Sequence, residues 1–428
     1  MPSNRAKIYV LVLVSLAIFV IALLPEPQVR TTPSFVLNNI TLYDGATWHE
    51  NAKLTIFEGK VINSEQAPKN LPTVDGKGQY VIPGLIDAHT HSWGQALEQN
   101  LTFGVTSVLD MFTDINFMRA NQHSRQQTTL QARLFTAGTL VTSKEGHGTQ
   151  FGIRIPTIEN AIDADEFIAK RLQEGSDYIK IVYDAEPEKQ QFGMRFTSIS
   201  QDVLKAVVKA THIRNKLAVV HVMDEISALH AIESGADGLV HSFGNSIMST
   251  ELLSLLAQRE VFVIPTNSVL ASIGQQQRGR KLLQYSPLAY KVSSHGKSGL
   301  MSSFPPNVGN EEYWKNALEN TRLMHRNGIT VLAGTDAPNA GTTHGISLHD
   351  ELAILVEAGM TPTDAIHSAT GAVSDMFKLP HVGKLLPGFH ADMIMLNEDP
   401  RIDIKHTQTI VKILLSGIEI NEAELNDK

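Results

Sequence analysis

Apolar and polar positions follow two rhythms along this chain. Over residues 35–80 they form short alternating runs, FVLNNITLYDG, KLTIFEGKVI and QYVIP. These read as strands, with Asp44-Gly45 and Glu58-Gly59 as the turns between apolar runs. The pattern then changes to strand, helix, strand. Eight apolar runs read as strands, at 84–89, 105–111, 133–137, 178–183, 217–222, 238–242, 261–265 and 330–333. Helical patterns lie between most of them, for example at 163–174, 201–215, 225–234 and 249–259. Gly175, Gly235 and Gly328 stand where helices stop before a strand. Eight such units in about 250 residues predict a (β/α)8 barrel, with a doubly wound open sheet as the structural rival. After Leu385 strand-like text returns in ADMIMLNED and TIVKILLSGIEI. The expected architecture is a barrel over residues 83–380 beside a small composite β-sandwich built from residues 35–82 and 381–424.

The chain opens on a third pattern. Arg5 and Lys7 precede an uncharged apolar run over residues 8–24, and Pro25-Glu26-Pro27 follows directly. The run is slightly long for a signal-peptide core and at the short end for a spanning helix. Positive charge before it and little after it predicts an inside amino terminus with the rest of the chain translocated. Residues 1–30 are expected to be a membrane anchor or an export signal. No A-x-A-like cleavage site is obvious, which favours the uncleaved anchor. The rest of the protein would then be exported, either membrane-anchored or periplasmic/extracellular.

Composition narrows the chemistry. The 428 residues carry 36 Lys and Arg against 44 Asp and Glu, a formal charge of −8, which disfavours nucleic acid as a partner. There is no cysteine, so disulfides, thiolate zinc sites, iron–sulfur clusters and cysteine nucleophiles are excluded. The 17 histidines are the unusual number.

Several of those histidines end predicted strands. His89 and His91 close the first run, and residues two apart on a strand share a face. His221 ends the fifth run (LAVVHV), His241 the sixth (GLVHSF), and Asp336 follows the eighth (VLAGTDAP). A lone histidine in an apolar strand is usually a core residue. Four histidines and an aspartate at corresponding strand ends meet only if the barrel closes, and there they would form a divalent-metal site at the catalytic mouth. Lys180 lies in YIKIVY, where a free ammonium is costly to bury. One reading pairs it with a carboxylate or puts it at a strand edge. The other lowers its pKa so that the neutral amine captures CO2, giving an anionic carbamate that would bridge two cations, between His89/His91 and His221/His241.

VIPGLIDAHTH, the Lys180 strand, His221, His241 and LAGTDAP together resemble the amidohydrolase superfamily, binuclear type with a carboxylated lysine. HGISLHDELAILVEAGMTPTDAIHSAT, GKLLPGFHADMIMLNEDP and GVTSVLDM are also similar to that family. The resemblance covers roughly residues 35–420. It implies the composite β-domain and six metal ligands: His89, His91, Lys180, His221, His241 and Asp336. Within the superfamily the chain is most similar to imidazolonepropionase-related dipeptidases, which cleave Xaa-Pro or Xaa-basic peptides and related N-acyl amino acids. His147 in SKEGHGTQFG resembles their substrate-loop histidine, and Tyr183 their substrate-facing tyrosine. The chain departs from that group in its first loop, where only 12 residues separate His91 from Gly104.

The expectation is therefore hydrolysis of a C–N bond in a dipeptide or N-acyl amino acid. Two divalent ions, zinc by default, would hold an attacking hydroxide, and CO2 would be present as the Lys180 carbamate. The metal at His221 and His241 would polarise the carbonyl, while Asp336 would take the water proton and pass it to the leaving amine. The alternatives are a cyclic amide hydrolase or deaminase on the same scaffold, and a non-catalytic binding protein that kept the barrel. Expected partners are the small-molecule amide or dipeptide, no nucleic acid, the membrane where residues 1–30 are retained, and a second copy of the chain if it forms a homo-oligomer.

Overall fold

The computed structural model describes residues 32–126, 128–187 and 195–421. The expected anchor over residues 1–30 lies outside the described residues. Among the described residues, no helix is long and apolar enough to cross a membrane.

Four strands open the described chain: β1 (Phe35–Tyr43), β2 (Trp48–Phe57), β3 (Lys60–Ile62) and β4 (Thr73–Pro83). The Asp44 turn joins β1 to β2, its Oδ1 accepting from the backbone of Ala46 and Thr47 at 2.8 and 2.9 Å. Seven parallel barrel strands follow: β5 (Leu85–Thr90), β6 (Val105–Asp110), β7 (Arg133–Thr136), β8 (Ile179–Val182), β9 (Ala218–His221), β10 (Gly238–Val240) and β11 (Phe262–Ile264). Every residue of these strands is buried, as expected for a parallel sheet covered on both faces. Helices between them start on the expected caps. Ser200, Asp224 and Ser249 each accept a hydrogen bond from the first turn of the helix they precede.

Ladders join β5–β6–β7 and β8–β9–β10–β11, and short contacts close the ring between them. On one side Val141, just past β7, bridges Ile181 of β8. On the other, the segment expected as the eighth strand makes a single parallel bridge, Val331 to Val263, and its Ala333 carbonyl accepts from Ala88 at 2.9 Å. The ring is an eight-membered barrel whose last member is extended backbone rather than a full strand. The open-sheet rival does not form.

β12 (Met393–Leu396), β13 (Ile410–Leu415) and β14 (Ile418–Glu419) return to the first four strands. The observed order is β14-β13-β12-β4-β1-β2-β3, with β4 parallel to β1 and antiparallel to β12. Both chain ends thus build one domain, as expected. Its strands hydrogen-bond as one continuous seven-stranded sheet, however, where a sandwich of two sheets was expected. Register shifts at Leu37/Ile40 and Ile40/Leu42 bend β1, and the curved sheet wraps its own apolar cluster around Leu37, Ile56 and Met393. Arg133 of β7 ties barrel to sheet. Its guanidinium, fully buried, meets Asp392 at 2.6 and 3.0 Å and Ser416 Oγ at 2.8 Å.

Candidate metal centre and active site

The site is set by which side chains the strands turn inward. Immediately before β8, Tyr178 belongs to the cluster inside the barrel, and Lys180 and Val182 on the strand line the cavity above it. Ile179, Ile181 and Tyr183 belong to the opposite face, under the helices. On β9, Val219 packs inside and His221 continues that row into the cavity. β5 loses register with β6 between Asp87 and Thr90, and His89 and His91 both reach the cavity. His241 gets there through a left-handed backbone, φ 71°, immediately after β10. Asp336 has φ 56° and Thr266 φ 54°, so three non-glycine residues at the barrel mouth hold a conformation that costs energy and that clusters at functional sites.

The imidazoles form a row. Ring centroids lie 5.3 Å apart for His91 and His89, 4.8 Å for His89 and His241, and 4.6 Å for His241 and His221. His147 extends the row, stacked on His221 at 5.0 Å with an interplanar angle of 27°. Asp336 Oδ1 sits 2.9 Å from His91 Nε2 and 3.2 Å from His89 Nε2. Donor atoms of His89, His241 and Asp336 all lie within 4.8 Å of one another. Five of the six expected ligands are therefore linked in one run of neighbouring contacts, and Lys180 lines the same cavity of about 190 Å3.

Supporting contacts orient them. His241 Nδ1 is 2.7 Å from Thr266 Oγ1, which leaves Nε2 for the cluster. Asp87 clamps two site-bearing segments. Its Oδ1 accepts from His89 N and Thr335 N, both at 3.1 Å, and its Oδ2 accepts from Thr335 Oγ1 at 2.6 Å. Asp110 accepts from Ser92 N and Thr136 Oγ1, both at 2.6 Å. His344 Nε2 donates to the His91 carbonyl at 2.9 Å. A side chain at Gly334 would place Cβ 2.7 Å from His89 N, so only glycine lets this segment close against β5.

Burial governs the charge states. It pushes His89 down to about 3, helped by the Lys180 charge, and holds His221 and His241 well below the usual imidazole range. These rings are neutral at ordinary pH, which is the ligating form. Burial draws Lys180 down to about 7, against the pull of Asp336. Burial would raise the Asp336 carboxyl, but His89 and His91 hold it well below the carboxylate range.

The donor set fits a divalent cation. Both ring nitrogens of His89, Nε2 of His221 and Oδ1 of Asp336 are buried without a hydrogen-bond partner. Buried polar atoms left without hydrogen bonds are costly, and one ring nitrogen of His89 with donor atoms of His241 and Asp336 lie close enough together for an ion to satisfy them.

Two expectations about substrate contacts diverge. His147 does line the cavity, in edge contact with Phe151 and Phe196. Tyr183 does not. It is buried on the outer face of β8 with its hydroxyl 2.9 Å from His230 Nδ1, so the contact expected from the resemblance is absent. The reason is parity: an odd step from Lys180 points away from the barrel axis. Arg154 and Arg195 are exposed and do not line the cavity. His349 is structural, bonded to the Phe103 carbonyl at 2.9 Å. Sequence reasoning passed over Asp87, Thr266, Gln150 and Asn339. For Asp87 a signal existed, an acidic residue inside an apolar strand two positions before His89.

An amidohydrolase family model matches residues 80–420. Ochratoxinase of Aspergillus niger is 27% identical over 240 residues, 55% of this chain and 44% of that protein, so the chain aligns with less than half the length of this relative. Among solved structures, a Xaa-Pro dipeptidase with bound methionine in the active site superposes with a TM-score of 0.72 at 18% identity, covering 91% of this chain and 100% of that one. The A. niger ochratoxinase structure gives 0.68 at 18% identity, covering 91% and 96%. At such identities the superpositions establish a shared fold. With the family match running from β4 to the last strand of the sheet, the chain belongs to the amidohydrolase family.

Proposed function

We propose that this chain is a metal-dependent hydrolase of an amide C–N bond. The observation that carries the reading is the convergence of neutral imidazoles and an ionised carboxylate, with unpartnered buried donor atoms, at the floor of a cavity at the barrel mouth. His89, His91 and Asp336 would hold one divalent ion, and His221 and His241 a second, with zinc the first metal to try. When bound, such ions supply Lewis acidity and lower the pKa of a water molecule.

The chain's own residues do the rest. Asp336, held ionised, accepts the proton of the attacking water on a carboxylate oxygen and returns it to the departing nitrogen. Thr266 fixes the His241 ring through Nδ1. His147, whose buried Nδ1 has no partner, faces the cavity and is assigned to the substrate. Lys180 supports the carbamate reading: a neutral buried amine adds CO2, forming an N–C bond and releasing one proton. Asp336→Asn should retain metal and lose about 10²–10⁴-fold in kcat. Full activity would sink the proton-carrier assignment. Lys180→Ala should lose metal, and an isotope-labelled bicarbonate signal present in the parent should vanish with it.

A second reading has one observation in its favour. His89, His241 and Asp336 form the tight three-residue group, which suits a single ion and hence deaminase-like or cyclic amide chemistry. Elemental analysis separates the two. About two ions per chain support the bridged site, and about one supports the alternative. The amino-terminal charge pattern supports placement on the far side of a membrane, and cell fractionation tests it.

A further inference from the structure

The cavity has an apolar character that the metal chemistry does not require. Phe112, Leu140 and Val182 form one buried cluster beside the imidazole row, extended outward by Ile153 and Ile155. Val269, Leu270 and Ile273, on the helix Asn267–Ile273, form a separate cluster facing the same space, with Phe304 packed on it. Between these walls and the metal-ligand floor, His147, Gln150 and Asn339 are the polar lining residues among those described, and burial keeps the His147 ring neutral. Among the described lining residues Lys180 alone carries an amine, and it lies at the floor, 3% exposed, beside the ligand set, where the amide-hydrolase reading has it as a carbamate. A free carboxylate seated between the walls would give up its water without gaining a guanidinium or ammonium from the described lining. A neutral aryl or branched alkyl group loses nothing there and buries its surface.

We infer that this cavity selects an uncharged amide whose apolar group lies between the two clusters, and discriminates against the same amide bearing a carboxylate. For turnover the inference rests on the amide-hydrolase reading; for binding it stands on the lining alone. It narrows the substrate expected from sequence, since dipeptides and N-acyl amino acids both carry that carboxylate. Phe304, half-buried on the wall, and Gln150 become the specificity-determining positions.

The test uses a pair differing by one group: an N-acyl phenethylamine and the matching N-acyl phenylalanine. Metal-loaded protein should hydrolyse the neutral member with a kcat/KM at least about 10-fold higher. Calorimetry on the Asp336→Asn variant reads binding without turnover, and there too the neutral member should bind about 10-fold tighter. Phe304→Arg should narrow or reverse the preference, and Gln150→Arg serves if the first variant does not fold. Equal or tighter binding of the carboxylate member overturns the inference, whatever the turnover. Tighter binding of the neutral member with no hydrolysis of either would leave the inference standing and remove the amide-hydrolase reading.

Discussion

Asp87 shows how a buried charge acts at a distance from the chemistry. Burial lifts its carboxyl to about 7, and the backbone of His89 and Thr335 with the Thr335 hydroxyl works against that rise. Its two oxygens hold together the strand that ends in His89 and the segment that carries Asp336. It touches no ligand ring, so it is a positioning residue. Asp87→Ala should weaken divalent-ion affinity by about 10–100-fold, read by chelator competition, while Asp87→Asn restores part of it. Unchanged affinity in Asp87→Ala would show that the two segments need no clamp. The ligands themselves were legible because metal chemistry puts polar residues where apolar strands should continue. Asp87 broke the same rule and was passed over because it has no motif spacing of its own. Tyr183 was misplaced for the opposite reason: resemblance put it in the site, while the strand's alternation already turned it outward.

Elements differ in how much of themselves they write into the sequence. Long amphipathic helices such as Gln201–Ile213 bury Val203, Leu204, Val207 and Val208 on one face and were readable from that spacing. The helices Asn267–Ile273, Arg278–Tyr285 and Ser294–Met301 have only seven or eight residues each, too few to show a clear period. Contacts from elsewhere hold the first of them. Glu351, on the helix Ile346–Glu357, accepts from Asn267 N at 3.0 Å and from Ser268 N and Oγ at 2.6 and 2.8 Å. Burial raises this carboxyl from 4.5 to about 7. Between those values the folded chain keeps a proton that the unfolded chain has released, so this contribution is full below 4.5 and fades as pH rises through about 7. His349, two residues earlier, has the opposite sign. Burial lowers it from 6.5 to about 4, so its contribution is full above 6.5 and is lost as pH falls toward 4. Denaturant melts across this range should show Glu351→Gln gaining on the parent as pH rises, and His349→Gln gaining as pH falls. Parallel curves would mean that neither group titrates in the fold.

At the scale of the molecule, barrel and sheet meet through Arg133 and Asp392, both fully or almost fully buried. Nothing nearby in sequence announces the pair, because the two residues stand 259 positions apart. Removing one partner leaves the other charge stranded, so Arg133→Ala should cost about 3–5 kcal/mol in denaturant unfolding. Replacing both with apolar residues of similar volume should cost far less, and a double variant as unstable as the single would show that packing, not charge, dominates the junction.

The sheet order also has a consequence in time. β4 lies between β1 and β12, and β12 begins only at Met393. A ribosome adding about 5–20 residues per second reaches it roughly 15–60 s after β4 emerges. Through that interval one edge of β4, carrying Val81 and Ile82, offers unpaired amides and carbonyls to any passing strand. That edge stays open even after the segment at residues 330–333 has been made, so a newly made molecule is exposed to strand addition there until β12 arrives.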